Sequence, residues 1–236
     1  MAKPTAAAII TAGGLGKRFG GKIVKQFSEI NGKPVLAYAV GHFERCDLIN
    51  EIVIVVPEGW IDFTSTEIVS KYGLQKIKKI ITGGAERQNS VENGFMSLSE
   101  EIDIVVVHDG VRPFISTELI ERVITEASDH GGAIAAIPCT DTIKNASPTD
   151  YIMGTILRDG IWFAQTPQAF RYDVLKNAFR KASEDGFIGT DDSLLVERAG
   201  QKVKLVEGSK YNIKITTQED IRYGEFIANN ILHSAS

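Results

Sequence analysis

Short apolar runs, rich in β-branched residues, recur along the chain, and stretches with helical spacing lie between them. Ala6–Thr11 (AAAIIT) and residues 52–56 (IVIVV), 77–81 (IKKII), 104–107 (IVVV) and 133–137 (AIAAI) read as strands. Several are apolar at consecutive positions, which suits strands covered on both faces, as in a parallel sheet. After Gln88, the apolar residues Val91, Phe95 and Leu98 fall at i, i+4 and i+7, one stripe of a helix. Ser116, with Glu118 in the first turn, opens another helix that Gly131-Gly132 ends. A third covers 192–199 and stops at Gly200, and Thr217 with Asp220 reads as a capping box for a C-terminal helix. This alternation implies an α/β fold with a doubly wound, mostly parallel sheet, in which ligands sit at the carboxyl ends of the strands.

One segment breaks the alternation. Between about 139 and 160, Thr142-Ile143-Lys144 leads through a polar turn to Tyr151-Ile152-Met153-Gly154-Thr155-Ile156-Leu157, which reads as a protruding β-hairpin arm. An isolated two-stranded ribbon is marginal in water, so it must pack on its own body or on a second subunit. No internal repeat or linker divides the 236 residues, which read as a single unit over 1–236.

Charge narrows the partners. Lys and Arg number 26 against 30 Asp and Glu, a net charge of −4, which argues against a nucleic-acid-coating or membrane-coating surface. A polyanionic ligand must therefore be held by a local cluster of cations. Cys46 and Cys139 form no CxxC or Cys/His spacing, so they read as reduced thiols of a cytoplasmic protein. No apolar run approaches the length of a membrane span or a signal segment.

Such a cation cluster follows the first strand. Residues 11–26 (TAGGLGKRFGGKIVKQ) hold five glycines together with Lys17, Arg18, Lys22 and Lys25, and no acidic residue between positions 17 and 25. Glycines let backbone N–H groups wrap an anion without interference from Cβ, so the stretch suits a polyphosphate cradle. It is neither a dinucleotide fingerprint, because Phe19 stands where the third glycine belongs, nor a Walker A loop, because Ile23 replaces the hydroxyl residue.

The pattern A-G-G-x-G-x-R followed by a Lys-Gln pair resembles the signature loop of sugar-nucleotide-type nucleotidyltransferases. Further blocks resemble the 2-C-methyl-D-erythritol 4-phosphate cytidylyltransferase family: 83–91 (GGAERQNSV), 107–113 (VHDGVRP), 141–144 (DTIK), 165–168 (QTPQ), 190–192 (TDD) and 212–216 (NIKIT). They occur in family order and cover nearly the whole chain. The resemblance implies a Rossmann-like nucleotidyltransferase fold. It also implies attack by a polyol phosphate oxygen on the α-phosphorus of CTP, with pyrophosphate leaving and Mg²⁺ as the divalent cation. Such transfers need in-line positioning and charge stabilisation rather than covalent chemistry from the protein.

By the same resemblance Arg18, Lys25 and Lys214 are the catalytic cations. Ala12, Gly13, Gly14, Gly16, Gly83, Gly84, Ser90 and Asp109 would form the nucleotide site. Asp109 closes an apolar strand and is also the metal candidate, since Mg²⁺ prefers carboxylate and phosphate oxygens. Arg112, Thr142, Arg158, Thr166 and Thr190 match the polyol phosphate side, and the arm implies a homodimer with shared sites. His108 is expected to be packed or structural, because the phosphate nucleophile is already ionised and needs no general base. Val24 replaces a proline common in the family loop, and Ala85 replaces an acidic residue found in some relatives. The run 111–114 (VRPF) also resembles ribitol-5-phosphate cytidylyltransferases, whereas 90–94 (SVENG) and 190–197 (TDDSLLVE) look more like the methylerythritol branch. A non-catalytic nucleotide-binding regulator on the same fold is the reading from another class.

Overall fold

The computed structural model describes residues 3–14 and 24–230. The chain opens with β1 (Ala6–Thr11), a small hairpin of β2 (Glu29–Ile30) and β3 (Lys33–Pro34), α1 (Val35–Arg45) and β4 (Ile49–Val56). Next come α2 (Ile61–Phe63), continued by a π-helical turn over Thr64–Ser70, then β5 (Ile77–Thr82) and α3 (Arg87–Met96). β6 (Ile104–Asp109), α4 (Thr117–His130) and β7 (Gly132–Pro138) lead to a separate ribbon of β8 (Ile143–Ala146) and β9 (Ile152–Ile156). The chain returns as β10 (Trp162–Arg171), α5 (Tyr172–Glu184), α6 (Asp192–Arg198), β11 (Lys204–Glu207) and α7 (Gln218–Asn230).

Seven strands form one sheet in the order β11-β7-β10-β6-β1-β4-β5. β1 runs parallel to β4 and β6, β4 to β5, and β7 to β11, while β10 is antiparallel to both of its neighbours. The sheet is therefore mostly parallel, as the apolar runs imply, with one reversed strand in its middle. That strand escapes sequence reasoning because Gln165, Thr166, Pro167 and Gln168 interrupt its apolar pattern. Its pairing with β7 breaks between Ala164 and Gln168, so Pro167 needs no ladder donor.

Alternate residues of the same strands feed two cores. Ala6, Ala8, Ile10, Ile52, Ile54 and Val106 face α1 and α4, which contribute Leu36, Val40, Phe43, Ile120, Val123 and Ile124. Ala7, Ile9, Val53, Val55, Val105 and Val107 face Val91, Phe95, Leu175, Phe179 and Val196 from α3, α5 and α6. Each fully buried aliphatic side chain adds roughly 1.5–3 kcal/mol, so both faces pull the strands flat between helices. A third cluster, including Ile30, Val111, Phe114, Ile215 and Ile227, seals α7 against the small hairpin.

Capping follows the sequence signals. Ser116 Oγ accepts from the Leu119 N–H at 3.2 Å, and Gly131 ends α4 at φ 87°, a left-handed conformation that a Cβ would strain. The Asp220 N–H donates to Thr217 Oγ1, while the Asp220 carboxylate accepts from the Thr216 and Thr217 N–H groups, the expected box. Among the described residues no helix is long and apolar enough to cross a membrane, and Cys46 and Cys139 are free and buried.

Candidate active site

Parallel register brings the carboxyl ends of β1, β4, β5 and β6 to one edge. Thr11 lies beside Asp109 on one side and Val55 on the other, and Val56 lies beside Thr82. Beyond the strands, the Ala12 N–H donates to Val55 O, the Gly83 N–H to Val56 O and the Gly110 N–H to Thr11 O, at 2.7–2.9 Å. Three turns therefore leave the sheet together, at Ala12-Gly13-Gly14, Gly83-Gly84 and Asp109-Gly110. Between them lies a cavity of about 190 Å³ whose lining includes Ala12, Gly13, Gly14, Lys25, Gly84, Ser90, Asp109 and Lys214. Gly16 and Arg18, the other expected members of the loop, lie outside the described residues.

The backbone around this cavity is pinned by side chains. Ser90 Oγ accepts from the Gly84 N–H at 3.1 Å and donates to Glu86 O at 3.1 Å, holding the β5–α3 turn against the helix. A Cβ on Gly83 would sit 2.7 Å from that oxygen, so only glycine allows this close approach. Gln26 is fully buried, and its Nε2 donates to Ala12 O and Gly14 O, so the turn after β1 is clamped through its carbonyls. Lys25 precedes Gln26 in a single 3-10 turn, which Phe27 anchors by stacking on Trp60 with ring centroids 4.6 Å apart.

Asp109 is the electrostatic centre. Its Oδ2 lies 2.8 Å from Lys214 Nζ and 3.6 Å from Arg112 Nε, and its Oδ1 lies 3.2 Å from Arg87 Nε. Burial alone would raise this carboxyl, but the Arg87, Lys214 and Arg112 charges hold it well below the usual carboxylate range. Arg87 also reaches the fully buried Asp192 at 2.8 Å, whose carboxyl is raised by burial although Arg87 pulls it down. Arg112 Nη1 donates to Asn212 O at 2.7 Å. The buried Asn212 in turn donates to Thr166 O and Gln165 Oε1, and the Ile215 N–H donates to Val111 O. The irregular segment carrying Lys214 is thereby bolted to both β10 and the turn after β6.

The remaining expected residues fall into three groups. Thr166 is buried, and its hydroxyl oxygen accepts from the Asp109 N–H at 3.0 Å while contacting His108 Nδ1, so the group is spent inside the protein. Thr190 is exposed beside Asp191, whose carboxylate caps α6. Thr142 and Arg158 are exposed at the base of the ribbon, where Arg158 donates to Thr140 O, and neither lines this chain's cavity. Among the described residues no group of three or more His, Cys, Asp or Glu side chains gathers. A divalent ion here would therefore draw most of its oxygens from the ligand and water around Asp109, a donor set that Mg²⁺ accepts.

Sequence reasoning assigned no role to Arg87, Asp192, Gln26 or Asn212. For Arg87 a signal existed. It is the first residue of α3, where the helix dipole disfavours a cation, so an arginine there implies buried carboxylates nearby. Gln26 and Asn212 carried no such mark, because an amide in a loop segment reads as solvated.

Comparison with known proteins agrees with this geometry. A model of the IspD family, 2-C-methyl-D-erythritol 4-phosphate cytidylyltransferase, matches residues 6–230. The enzyme of that name from Geotalea uraniireducens is 42% identical over 226 residues, covering 95% of this chain and 97% of the relative. The one from Syntrophus aciditrophicus is 45% identical over 223 residues, covering 94% and 95%. The crystal structure of 4-diphosphocytidyl-2C-methyl-D-erythritol synthase from Anaerococcus prevotii superposes with a TM-score of 0.84 at 33% identity, covering 97% of each chain. The Thermus thermophilus cytidylyltransferase gives 0.75 at 27% identity, covering 97% of this chain and all of that one. With its mostly parallel sheet, its glycine turns and the cations gathered around Asp109, the chain belongs to the 2-C-methyl-D-erythritol 4-phosphate cytidylyltransferase family.

Proposed function

We propose that this protein joins CTP to 2-C-methyl-D-erythritol 4-phosphate, giving the CDP-polyol and pyrophosphate as a step in isoprenoid precursor synthesis. The observation that carries this reading is the convergence of Lys25, Lys214 and Asp109 on one glycine-lined cavity at the carboxyl edge of the sheet. Three glycine-bearing turns offer backbone donors and little side-chain bulk, which suits a pyrimidine base and its triphosphate. Lys25 and Lys214 would brace the α-phosphate, where negative charge is held through the in-line displacement. Arg18 would join them on the triphosphate.

Arg112, Thr142 and Arg158 would hold the acceptor phosphate, with Thr190 lining that side and Thr166 acting only from behind, through Asp109 and His108. Arg112 Nε is buried 3.6 Å from Asp109 Oδ2 and Nη1 donates to Asn212 O, so the acceptor phosphate would be met by the remaining N–H groups of the guanidinium. Asp109 would hold Mg²⁺, which when bound neutralises phosphate charge and fixes the triphosphate geometry.

Thr142 and Arg158 lie on the ribbon, away from this chain's own cavity. The ribbon also exposes Tyr151, Ile152, Met153 and Leu157 at 67–83%, an apolar surface that calls for a partner. Both facts support a homodimer in which each arm completes the neighbouring site. The free thiols fit a cytoplasmic location.

The relatives reported above carry the methylerythritol name, which favours that branch over the ribitol one. Lys25 and Lys214 beside the Asp109 carboxylate argue against a non-catalytic regulator. Pyrophosphate release with CTP, measured in parallel for methylerythritol phosphate and ribitol phosphate, tests the reading. Faster release with methylerythritol phosphate is expected, and release with neither overturns the activity.

A further inference from the structure

We infer that His108 is a positioning residue for the acceptor side of the site, whose two ring nitrogens tie the Arg112 turn to the middle of β10. His108 is fully buried one residue before Asp109, with its ring centroid 4.9 Å from that of Phe43. Its two nitrogens meet different partners. Nε2 is 3.1 Å from the Arg112 carbonyl oxygen, and Nδ1 is 3.0 Å from Thr166 Oγ1. A carbonyl can only accept, so Nε2 carries the hydrogen. Nδ1 faces the Thr166 hydroxyl, which has a hydrogen of its own to offer the ring. The same hydroxyl oxygen accepts from the Asp109 N–H.

One ring therefore joins three parts of the site. The Arg112 N–H donates to the Asp109 carbonyl at 2.9 Å, so with His108 on the Arg112 carbonyl the turn is fixed at both ends. Its guanidinium is then held between Asp109 and Asn212 O. His108 does not line the cavity, so it acts on a ligand only through Arg112 and Asp109. This inference rests on the proposed reaction, in which Arg112 holds the acceptor phosphate.

Substitution separates the two arms of the ring. His108→Gln keeps an N–H near Nε2 for the Arg112 carbonyl. His108→Asn keeps an acceptor near Nδ1 for Thr166 but loses that donor, and His108→Leu loses both. In the full-length enzyme at saturating CTP, His108→Asn and His108→Leu should raise the KM for the polyol phosphate roughly three- to ten-fold, the span of one net hydrogen bond. In His108→Asn, which keeps the Thr166 arm behind Asp109, the KM for CTP should stay unchanged, and His108→Gln should return the polyol KM to within about two-fold of the parent, since the lost donor is replaced. Thermal melts of each variant record structural damage separately, and if His108→Leu fails to fold, the Gln and Asn pair decides. A polyol KM that is equal in the variants, or that moves in step with the CTP KM, overturns the positioning role alone. An inactive parent enzyme overturns the proposed reaction and this role with it.

Discussion

Lys214 Nζ lies 2.8 Å from Asp109 Oδ2, although the two residues are more than a hundred positions apart in the chain. The pair is one edge of a larger array. Lys214, Arg87 and Arg112 surround Asp109, and Arg87 is shared with Asp192. Within this array three cations meet two carboxylates, an excess of one positive charge, while Lys25 and Glu86 both line the cavity beside it. The excess is local in a chain whose net charge is −4. It gives a polyphosphate a destination without making the whole surface basic.

Lys25→Ala and Lys214→Ala should each lower kcat by about 10²–10³-fold, the effect of removing one donor aimed at developing charge. Lys214 is 39% exposed, so its loss should change the melting temperature little. Steady-state pyrophosphate release and thermal melts are the two measurements. Unchanged turnover in either variant removes that lysine from the site.

Asp109→Asn should weaken the Mg²⁺ dependence of turnover. It should also cost about 3–5 kcal/mol of stability, because Arg87 and Arg112 lose a buried partner. A Mg²⁺ titration that matches the parent enzyme would count against the metal role, and an unaltered denaturation midpoint against the structural one.

Acid should expose the same carboxylate. The Asp109 carboxyl is depressed in the fold, so its stabilising contribution is complete above about pH 4, the unfolded value, and is lost as pH falls toward its folded value. Asp192, raised by burial, has the opposite sign, with a contribution present below about pH 4 and lost as pH rises. Denaturant midpoints between about pH 2 and 5 should therefore fall more steeply toward acid in the parent than in Asp109→Asn. Parallel curves would show that the carboxylate contributes no linkage.

Ser90→Ala should release the Gly84 N–H and raise the KM for CTP roughly two- to ten-fold, as expected for one hydrogen bond. The polyol phosphate KM should not move. A shift in both would point to a general collapse of the α3 end.

Mixing two inactive variants tests whether sites are shared. If the arm crosses, a hybrid dimer of Lys214→Ala and Arg158→Ala subunits carries one intact site, and a random mixture should recover about a quarter of parental activity. Recovery of none would confine each site to one chain.

Much of the sheet was legible because buried parallel strands leave unbroken apolar runs, and because Ser116, Gly131 and Thr217 mark helix ends by their own chemistry. Asp109 was legible for the same reason, as a charge closing such a run. β10 was hidden, since its polar centre serves the site rather than the core. Gln168 takes the Asp192 and Ser193 N–H groups, Gln165 meets Asn212, and Thr166 meets Asp109 and His108. Gln26 was hidden because its partners are loop carbonyls that no local spacing encodes, and Arg87 was marked only by its place at the start of α3.

The ribbon of β8 and β9 leaves the body after β7 and returns through β10, two strands that lie side by side in the sheet. Both of its roots are thus anchored in neighbouring rails of one frame, and none of its residues lines the glycine-walled cavity. On the proposed reading, in which Thr142 and Arg158 meet the acceptor, a lineage could lengthen, trim or exchange this excursion and so retune which alcohol phosphate is accepted. The machinery that grips the nucleotide would be inherited intact.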